Sequence, residues 1–226
     1  MRKYLLLLLG ILSISLNLHN YIAFGEELDS HIRVLHASPD APNVDIYFDN
    51  KKMFSEVKYK HLSDYTKVSK SDYLYVYPEG ANPKKEIPII KEKIEVTKDD
   101  TVTIAIVGID DEFQVKYFKD EHSLNESKAK VRFIHLSPDT ETIDVLINGE
   151  LALTNLSYMK NNKYEILKPG KKNMTLQLSN GNERINKKFV SMEIFSKANY
   201  SIFLIGLTEG EPELEVVITK DHLIKK

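Results

Sequence analysis

The chain has 226 residues, a formal net charge of −2 at pH 7 and no cysteine. The lack of cysteine excludes a disulfide framework, a lipid-modified N-terminal cysteine and a thiolate metal site. Acidic and basic residues are interspersed, so the composition indicates neither a nucleic-acid-binding surface nor a basic face for anionic lipid.

The N-terminus has the three parts of a secretory signal peptide. A basic start at residues 1–3 precedes an apolar run from Tyr4 to Leu16, and Ala23-Phe24-Gly25 supplies the small residues of a cleavage site. We expect residues 1–25 to be removed and the mature chain to begin at Glu26. The alternative is an uncleaved anchor, but the apolar run is shorter than the roughly 20 residues that span a bilayer.

Removal of residues 1–25 takes away two basic residues and no acidic one, which moves the net charge to −4. An exported protein without cysteine is typical of a bacterium, because small exported domains of animals usually depend on disulfides. We expect no membrane insertion after cleavage, since no second apolar run has spanning length. The predicted location is secreted and extracellular, with non-covalent retention at the cell envelope as the alternative to full release.

The chain contains an internal repeat. The segment Arg33–Asp40, RVLHASPD, returns 99 positions later as Arg132–Asp139, RFIHLSPD. The same offset relates three further pairs: Asp45 and Asp144, Tyr59 and Tyr158, and Tyr65 and Tyr164. A register kept over this length indicates a duplicated domain. We predict a first repeat at residues 26–122 and a second at residues 129–226, joined by a polar segment too short to let them swing freely.

Apolar residues alternate with a period of two, which predicts strands. Both repeats turn one face of a strand toward a core, formed by Val44, Ile46 and Phe48 and by their counterparts Ile143, Val145 and Ile147. Further strands are predicted at residues 73–77, 86–90, 102–107 and 113–118, and at 163–167, 174–178, 187–190, 200–205 and 214–218. This spacing predicts an all-β fold of two tandem immunoglobulin-like antiparallel β-sandwich domains, without a helix after the signal peptide.

The repeated motif His-x-Ser-Pro-Asp and the next aspartate supply the candidate site residues, His36, Ser38, Pro39, Asp40 and Asp45, and His135, Ser137, Pro138, Asp139 and Asp144. In a functional interpretation, the histidines would act as bases or metal ligands oriented by the aspartates. We favour a structural interpretation, because proline stops a strand and short polar side chains bond nearby backbone amides. Each histidine would then use its second nitrogen on Asp45 or Asp144, joining the first two strands.

A metal site needs three or four convergent ligands, and each copy has only one nearby histidine and two aspartates. Ser38 lacks the flanking glycines of a hydrolase nucleophile. We therefore predict no catalytic residue, no metal and no cofactor, and we expect the protein not to be an enzyme. A metal-dependent hydrolase built on the His/Asp pairs is the least favoured alternative.

Tyr73, Tyr75 and Tyr77 share one face of a predicted strand and could form a stacking platform for sugar rings or peptide. At an offset of 99, Tyr75 matches Met174 and Tyr77 matches Leu176, which predicts that these rings face the core. A shift of one residue in the preceding loop would reverse this prediction. The repeated tyrosines at 59, 158, 65 and 164 are expected to be buried rings whose hydroxyls bond the backbone.

Each repeat has Arg-x-x-His-x-Ser-Pro-Asp followed by an apolar-Asp-apolar strand. The second repeat continues with Asn148-Gly149 and with Tyr164 followed by Pro169-Gly170, whereas the first has Ser69-Lys70-Ser71-Asp72 in place of Pro-Gly. This pattern resembles a bacterial family, the domain of unknown function 4397. The resemblance implies a secreted or surface protein with tandem immunoglobulin-like units, and it implies no established activity, substrate or catalytic residue.

The favoured function is an extracellular binding or adhesion module, because β-sandwiches in tandem usually work through surface contact. Its partner would be a cell-wall or host glycan or a surface protein, and not nucleic acid. The predicted contact surface is the loop set at 40–43 and 82–85 and its copy in the second repeat. The alternative function is a structural spacer or envelope component without a specific ligand.

Overall fold

The structure is a computed structural model that describes residues 30–68, 71–179 and 188–221. Within these ranges the chain forms strands and turns without a helix, which confirms the all-β prediction. No helix in this part of the chain could cross a membrane. The predicted signal peptide, residues 1–25, lies outside the described residues.

The first repeat forms two four-stranded sheets. Its strands are β1 (Ser30–His36), β2 (Val44–Phe48), β3 (Lys51–Val57), β4 (Thr66–Val68), β5 (Tyr73–Pro78), β6 (Ile90–Lys93), β7 (Thr101–Val107) and β8 (Gln114–Lys119). One sheet has the order β4-β1-β7-β8, which we call the inner sheet, and the outer sheet has the order β3-β2-β5-β6.

The second repeat follows the same plan. Its strands are β9 (Ala129–His135), β10 (Thr142–Ile147), β11 (Glu150–Ser157), β12 (Lys160–Asn161), β13 (Glu165–Leu167), β14 (Gly170–Leu178), β15 (Lys188–Ile194), β16 (Ala198–Ile205) and β17 (Glu215–Lys220). Its inner sheet has the order β12-β9-β16-β17, with β13 also paired to β9, and its outer sheet has the order β11-β10-β14-β15.

Each repeat contains one parallel pair, which the predicted antiparallel arrangement did not include. β1 runs parallel to β7, with Val34 opposite Ile104, and β9 runs parallel to β16, with Phe133 opposite Ile202. All the other paired strands of the four sheets run antiparallel. Alternation along a strand shows which face is apolar but not the direction in which a neighbour runs, so the sequence pattern could not reveal these pairs.

The strand predicted at residues 86–90 is wrong, because β6 begins only at Ile90. Pro88 has no backbone N–H to donate to a ladder, and Ile87 is 89% exposed instead of facing a core. The segment before Ile90 is therefore a surface loop between β5 and β6.

A hydrophobic core lies between the two sheets of each repeat. In the first repeat, Val34 and Ile104 of the inner sheet meet Ile46 and Val76 of the outer sheet. The predicted apolar faces are confirmed: Val44, Ile46 and Phe48 are buried in the first core, Ile143 and Val145 in the second, and Ile147 packs against it.

The prediction that Tyr75 and Tyr77 face this core is wrong, because the two copies of their strand do not keep the offset of 99. Leu74 lies opposite Phe48 in the first repeat, and Met174 lies opposite Ile147 in the second. Leu74 and Met174 are therefore equivalent, at an offset of 100. At this offset Leu74 and Val76 match Met174 and Leu176, and all four side chains lie in the cores. Because strand side chains alternate, Tyr75 and Tyr77 point to the outer face.

A third hydrophobic core joins the two repeats. It contains Leu35, Ala37, Ala105, Val107 and Phe118 from the first inner sheet and Ile134, Leu136, Phe203 and Ile205 from the second. The two inner sheets thus pack on one another, which agrees with the short junction predicted between the repeats. Four sheets lie in succession, and within the described residues one face of each outer sheet, its free face, is not packed against another sheet.

Candidate functional site

The His-x-Ser-Pro-Asp motif forms a corner directly after β1 in the first repeat and after β9 in the second. Its side chains bond to the loop that follows the parallel neighbour of that strand, β7 or β16. In the first repeat, Ser38 Oγ donates to the Gly108 carbonyl at 2.8 Å, and Asp40 Oδ2 accepts the Asp110 N–H at 2.7 Å. Gly108 has φ +110°, and an added Cβ would overlap the carbonyl oxygen of Glu112, so this tight loop requires glycine.

In the second repeat the motif aspartate makes the equivalent contact with the loop. Asp139 Oδ2 accepts the N–H groups of Thr208 and Glu209 at 2.7 and 3.0 Å, and Ser137 Oγ donates to Asp139 Oδ1 at 3.0 Å. Hydrogen bonds to the ionised form keep the pKa of Asp139 below its ordinary value, although burial alone would raise it. In both copies the motif serine and aspartate therefore bond within the fold.

The two histidines are completely buried, with 0% exposure. His36 Nε2 lies 3.0 Å from the Pro42 carbonyl oxygen, and His135 Nε2 lies 3.1 Å from that of Thr140. A carbonyl only accepts, so Nε2 carries the proton in both rings and Nδ1 is the bare nitrogen. In the second repeat, Nδ1 accepts the Ser137 N–H at 3.3 Å.

Burial lowers the pKa of His36 and lowers that of His135 to about 4, because the charged imidazolium would lose its hydration. The Thr140 carbonyl and the Asp139 charge oppose this shift without reversing it. Both rings are therefore neutral near pH 7 and covered from solvent. Neither is presented to a substrate.

The buried histidines make stability depend on pH. His135 gains a proton near its ordinary pKa of 6.5 when unfolded but only near pH 4 when folded, so the unfolded state binds more protons between these values. We expect the free energy of unfolding to fall by about 2 kcal/mol from pH 7 to pH 5 through His135 alone. Urea denaturation at both pH values measures this, and His135→Gln is expected to show a smaller fall. An equal fall in the variant would contradict the prediction.

The predicted pairing of each histidine with Asp45 or Asp144 is wrong. Asp45 instead accepts Lys52 Nζ at 2.6 Å and the N–H groups of Glu56 and Gly80 at 3.0 and 3.2 Å. Asp144 accepts the Asn155 N–H at 3.0 Å and Ser179 Oγ at 2.6 Å. Glu56 and Asn155 have φ of 52° and 53° and lie beside register shifts of β3 and β11. Each aspartate therefore holds a strained bend of the neighbouring strand.

A buried cluster of charges, which sequence reasoning missed, crosses between the repeats. Arg33 of β1 forms an ion pair with Asp221 of the second repeat, and Arg132 of β9 forms one with Asp120 of the first. These four side chains are at most 2% exposed. Burial alone would lower the pKa of Arg33, but the charges of Asp120 and Asp221 raise it, so the ion pair is kept.

The cluster is completed by groups that repeat in both halves. Arg33 Nε donates to Thr103 Oγ1 at 2.8 Å, and Arg132 Nε donates to Ser201 Oγ at 2.7 Å. The hydroxyls of Tyr65 and Tyr164 donate to Asp120 and Asp221 at 2.6 and 2.7 Å, and not to the backbone as predicted. Each guanidinium also lies over a tyrosine ring, 4.6 Å from the centroid of Tyr65 and 4.8 Å from that of Tyr164. The cluster is closed to solvent and joins the repeats.

One signal in the sequence pointed to this cluster. Arg33 and Arg132 are charged residues inside runs that are otherwise apolar, and a buried charge requires a partner. The partners could not be identified from the sequence, because each lies in the repeat that does not contain its arginine. Asp120 follows the last strand of the first repeat, and Asp221 follows the last strand of the second.

The free face of the first outer sheet carries a different group, which we call the tyrosine face. It consists of Tyr47 on β2, Tyr73, Tyr75 and Tyr77 on β5, and Lys52, Lys91 and Lys93 on the neighbouring strands. Direct cross-strand partners point to the same face. Lys52, Tyr47, Tyr75 and Lys91 are such partners in one row across four strands, and Tyr73 and Lys93 are partners in the next.

The rings of the tyrosine face contact one another. The centroids of Tyr75 and Tyr77 are 6.4 Å apart with an interplanar angle of 22°, and Tyr77 meets Tyr47 edge-on at 5.5 Å. Lys91 Nζ lies 5.0 Å from the Tyr73 centroid and 5.5 Å from that of Tyr75. Tyr73 is 41% exposed, Tyr47 and Tyr75 are partly exposed, and Tyr77 is buried beneath them. The result is an aromatic surface with lysine ammonium groups lying over its rings.

The second repeat shows that the fold does not need these tyrosines. The corresponding face has no tyrosine and no lysine at the seven equivalent positions, where the ladder places Leu146, Leu151, Asn173, Thr175, Gln177, Phe189 and Ser191. The same arrangement of strands therefore forms in the second repeat without tyrosine or lysine at these positions.

The loops predicted as a contact surface come together at one end of the first repeat. Asn43 Nδ2 donates to Glu79 Oε2 at 3.0 Å, and the Glu79 N–H donates to the Asn43 carbonyl at 2.8 Å. Residues 82–85 continue this loop as an exposed turn, in which Asn82 Oδ1 accepts the Lys84 N–H at 3.0 Å. The loop begins directly after Pro78, where β5 ends next to Tyr77, so it borders the tyrosine face.

A comparison with curated proteins finds no relative of this chain. A protein-family model described as "Domain of unknown function (DUF4397)" matches the chain. It matches twice, over residues 30–145 and 129–225, so almost all of the described chain is covered and the duplication seen in the fold is found again. The chain therefore belongs to the DUF4397 family and carries the domain in tandem.

Proposed function

We propose that this protein is a secreted or envelope-associated, non-catalytic binding module that holds its ligand on the tyrosine face of the first repeat. The observation that carries the proposal is the difference between the repeats. Four tyrosines and three lysines gather on one free sheet face, and the equivalent face of the second repeat has none at the equivalent positions.

The chemistry of the face suits recognition. A tyrosine offers a flat apolar ring and a hydroxyl, and it loses little conformational entropy when it is fixed against a ligand. The face lies on a sheet whose other side packs into the core of the repeat, so its side chains are held in place before a ligand arrives. The Asn43–Glu79 loop at its border offers additional polar contacts.

Each repeat has two sheets around one core, and we take this frame to be an immunoglobulin-like sandwich. The N-terminal sequence supports export. A module that is rigid, covered at its inner sheets and chemically distinctive on one outer face is suited to binding a glycan or a surface protein outside the cell.

A binding experiment tests the proposal. The mature chain from Glu26 is applied to purified bacterial cell walls and to an array of neutral and acidic glycans. The double variant Tyr73→Asn/Tyr75→Thr introduces the residues that the second repeat has at the same positions. We expect it to bind at least tenfold more weakly with the fold intact, because both rings are partly exposed and the same sheet tolerates these residues in the second repeat.

The matched control is Leu151→Thr, a change on the equivalent face of the second repeat, where Leu151 is 61% exposed. It is expected to leave binding unchanged. If the unaltered protein is retained on neither cell walls nor any glycan, the binding function is wrong and a spacer role is favoured. If it is retained equally with and without the tyrosines, the face is not the site.

A further inference from the structure

We infer that the ligand of the tyrosine face is an acidic polysaccharide, whose sugar rings lie on the tyrosines and whose carboxylate or phosphodiester groups meet the lysines. This inference rests on the proposed function and adds the class of ligand. It follows from three features of the face: where its cations stand, what they contact and how many there are.

The cations flank the rings. Lys52 on β3 and Lys91 on β6 close the two ends of the row that has Tyr47 and Tyr75 at its centre. Lys93 stands beside Tyr73 in the next row. A ligand that covers the rings must therefore pass between ammonium groups, and an anionic ligand gains from doing so.

Two of these lysines form no ion pair with a carboxylate of the described residues. Among the described residues, no Asp or Glu lies within ion-pair distance of Lys91 or Lys93, whereas Lys52 is bonded to Asp45. Lys91 instead rests over the rings of Tyr73 and Tyr75. A cation–π contact at an exposed site is weak, about 0.5–1 kcal/mol, so an incoming anion can replace it.

The remaining features distinguish a polysaccharide from other anions and from a protein. Lysine is depleted at protein–protein interfaces, so a protein partner fits this face less well. Nucleic acid, with one charge per about 1.7 Å of duplex, requires many cations and is repelled by the net negative charge of the chain. A polysaccharide with a charge on only some sugars needs few cations, and it offers apolar ring faces and hydroxyls to the tyrosines.

The test compares two polymers that differ only in charge, polygalacturonate and its methyl ester, by titration with the mature protein at 50, 150 and 500 mM NaCl. We expect polygalacturonate to bind at least tenfold more tightly at 50 mM NaCl and the difference to shrink as salt increases, because exposed charges are screened. A wall polymer with phosphodiester groups forms a second arm and separates the two sources of negative charge. Single-stranded oligodeoxythymidylate forms a third.

Variants assign the effect to the face. Lys91→Gln/Lys93→Gln is expected to remove most of the preference for the charged polymer while leaving residual binding through the tyrosines. Lys171→Gln, an exposed lysine on β14 of the second repeat, is the control and is expected to change nothing. Equal binding of both polymers, or tyrosine-dependent binding of neutral glycans alone, would overturn the inference and leave the proposed function standing. Tighter binding to the oligonucleotide would overturn it in favour of nucleic acid. No binding to any of these polymers would also overturn it, whereas the proposed function is decided by retention on cell walls and on the glycan array.

Discussion

Replacing Asp120 by alanine is expected to lower the free energy of unfolding by about 3–5 kcal/mol, the cost of breaking a buried ion pair by removing one partner. Asp120 accepts from Tyr65 and Thr103 and forms the ion pair with Arg132, and its side chain is 0% exposed. The variant leaves the guanidinium of Arg132 buried without its carboxylate. Denaturation by urea, followed by circular dichroism, measures the change.

The control for Asp120 is Glu126→Ala, which breaks the pair of Glu126 with Lys197 on the surface, where the two side chains are 81% and 58% exposed. A loss of less than about 1 kcal/mol is expected there. A second comparison is the double variant Asp120→Ala/Arg132→Met, which leaves no buried arginine without a carboxylate partner. Its loss of unfolding free energy should be smaller than the sum of the losses of the two single variants. Equal small losses at Asp120 and Glu126 would show that the buried cluster does not hold the repeats together.

Replacing Phe203 by alanine is expected to cost about 3–5 kcal/mol as well, through a cavity in the core between the repeats. Phe203 lies on β16, is 0% exposed and packs in the cluster that includes Leu35 and Ala105 of the first repeat. Since this core joins the repeats, its loss should also loosen their contact. Unfolding experiments give the energy, and faster tryptic cleavage in the junction at residues 121–128 reports the loosening.

The same substitution at Phe195 is the matched control. Phe195 is 55% exposed, and Lys220 Nζ lies over its ring, 5.0 Å from the centroid. We expect a loss of about 1 kcal/mol or less and no faster cleavage of the junction. If Phe203→Ala destabilises the protein without exposing the junction, the cavity forms but the repeats stay in contact.

Alternation of residues was enough to predict the all-β fold, because burial of one strand face leaves a period of two in the sequence. Val44, Ile46 and Phe48 are in the core as their pattern predicts. The directions of strands were not predictable, since parallel and antiparallel neighbours have the same alternation. β1 therefore came to lie beside β7 without any sign of it in the sequence.

The candidate site was missed for a more local reason. Comparison of the two repeats at a fixed offset assigned Tyr75 to the core, and one extra residue before β14 reverses that assignment. Side chains on a strand alternate at every position, so a single insertion exchanges the core face with the outer face. Tyr47, Lys52 and Lys91 could be joined to the tyrosines only when the ladder between strands was known.

The reciprocal contacts of Arg33 with Asp221 and of Arg132 with Asp120 have the form of an isologous interface, of the kind that two identical subunits make about a twofold axis. In separate chains such a contact would depend on concentration, whereas the junction makes it permanent at a high effective concentration. Because the two halves are parts of one chain, their sequences also need not be identical. The inner surfaces that contact each other must remain complementary, but the residues of each outer sheet can differ independently. The outer face of the first repeat has tyrosines where that of the second has asparagine, threonine and glutamine.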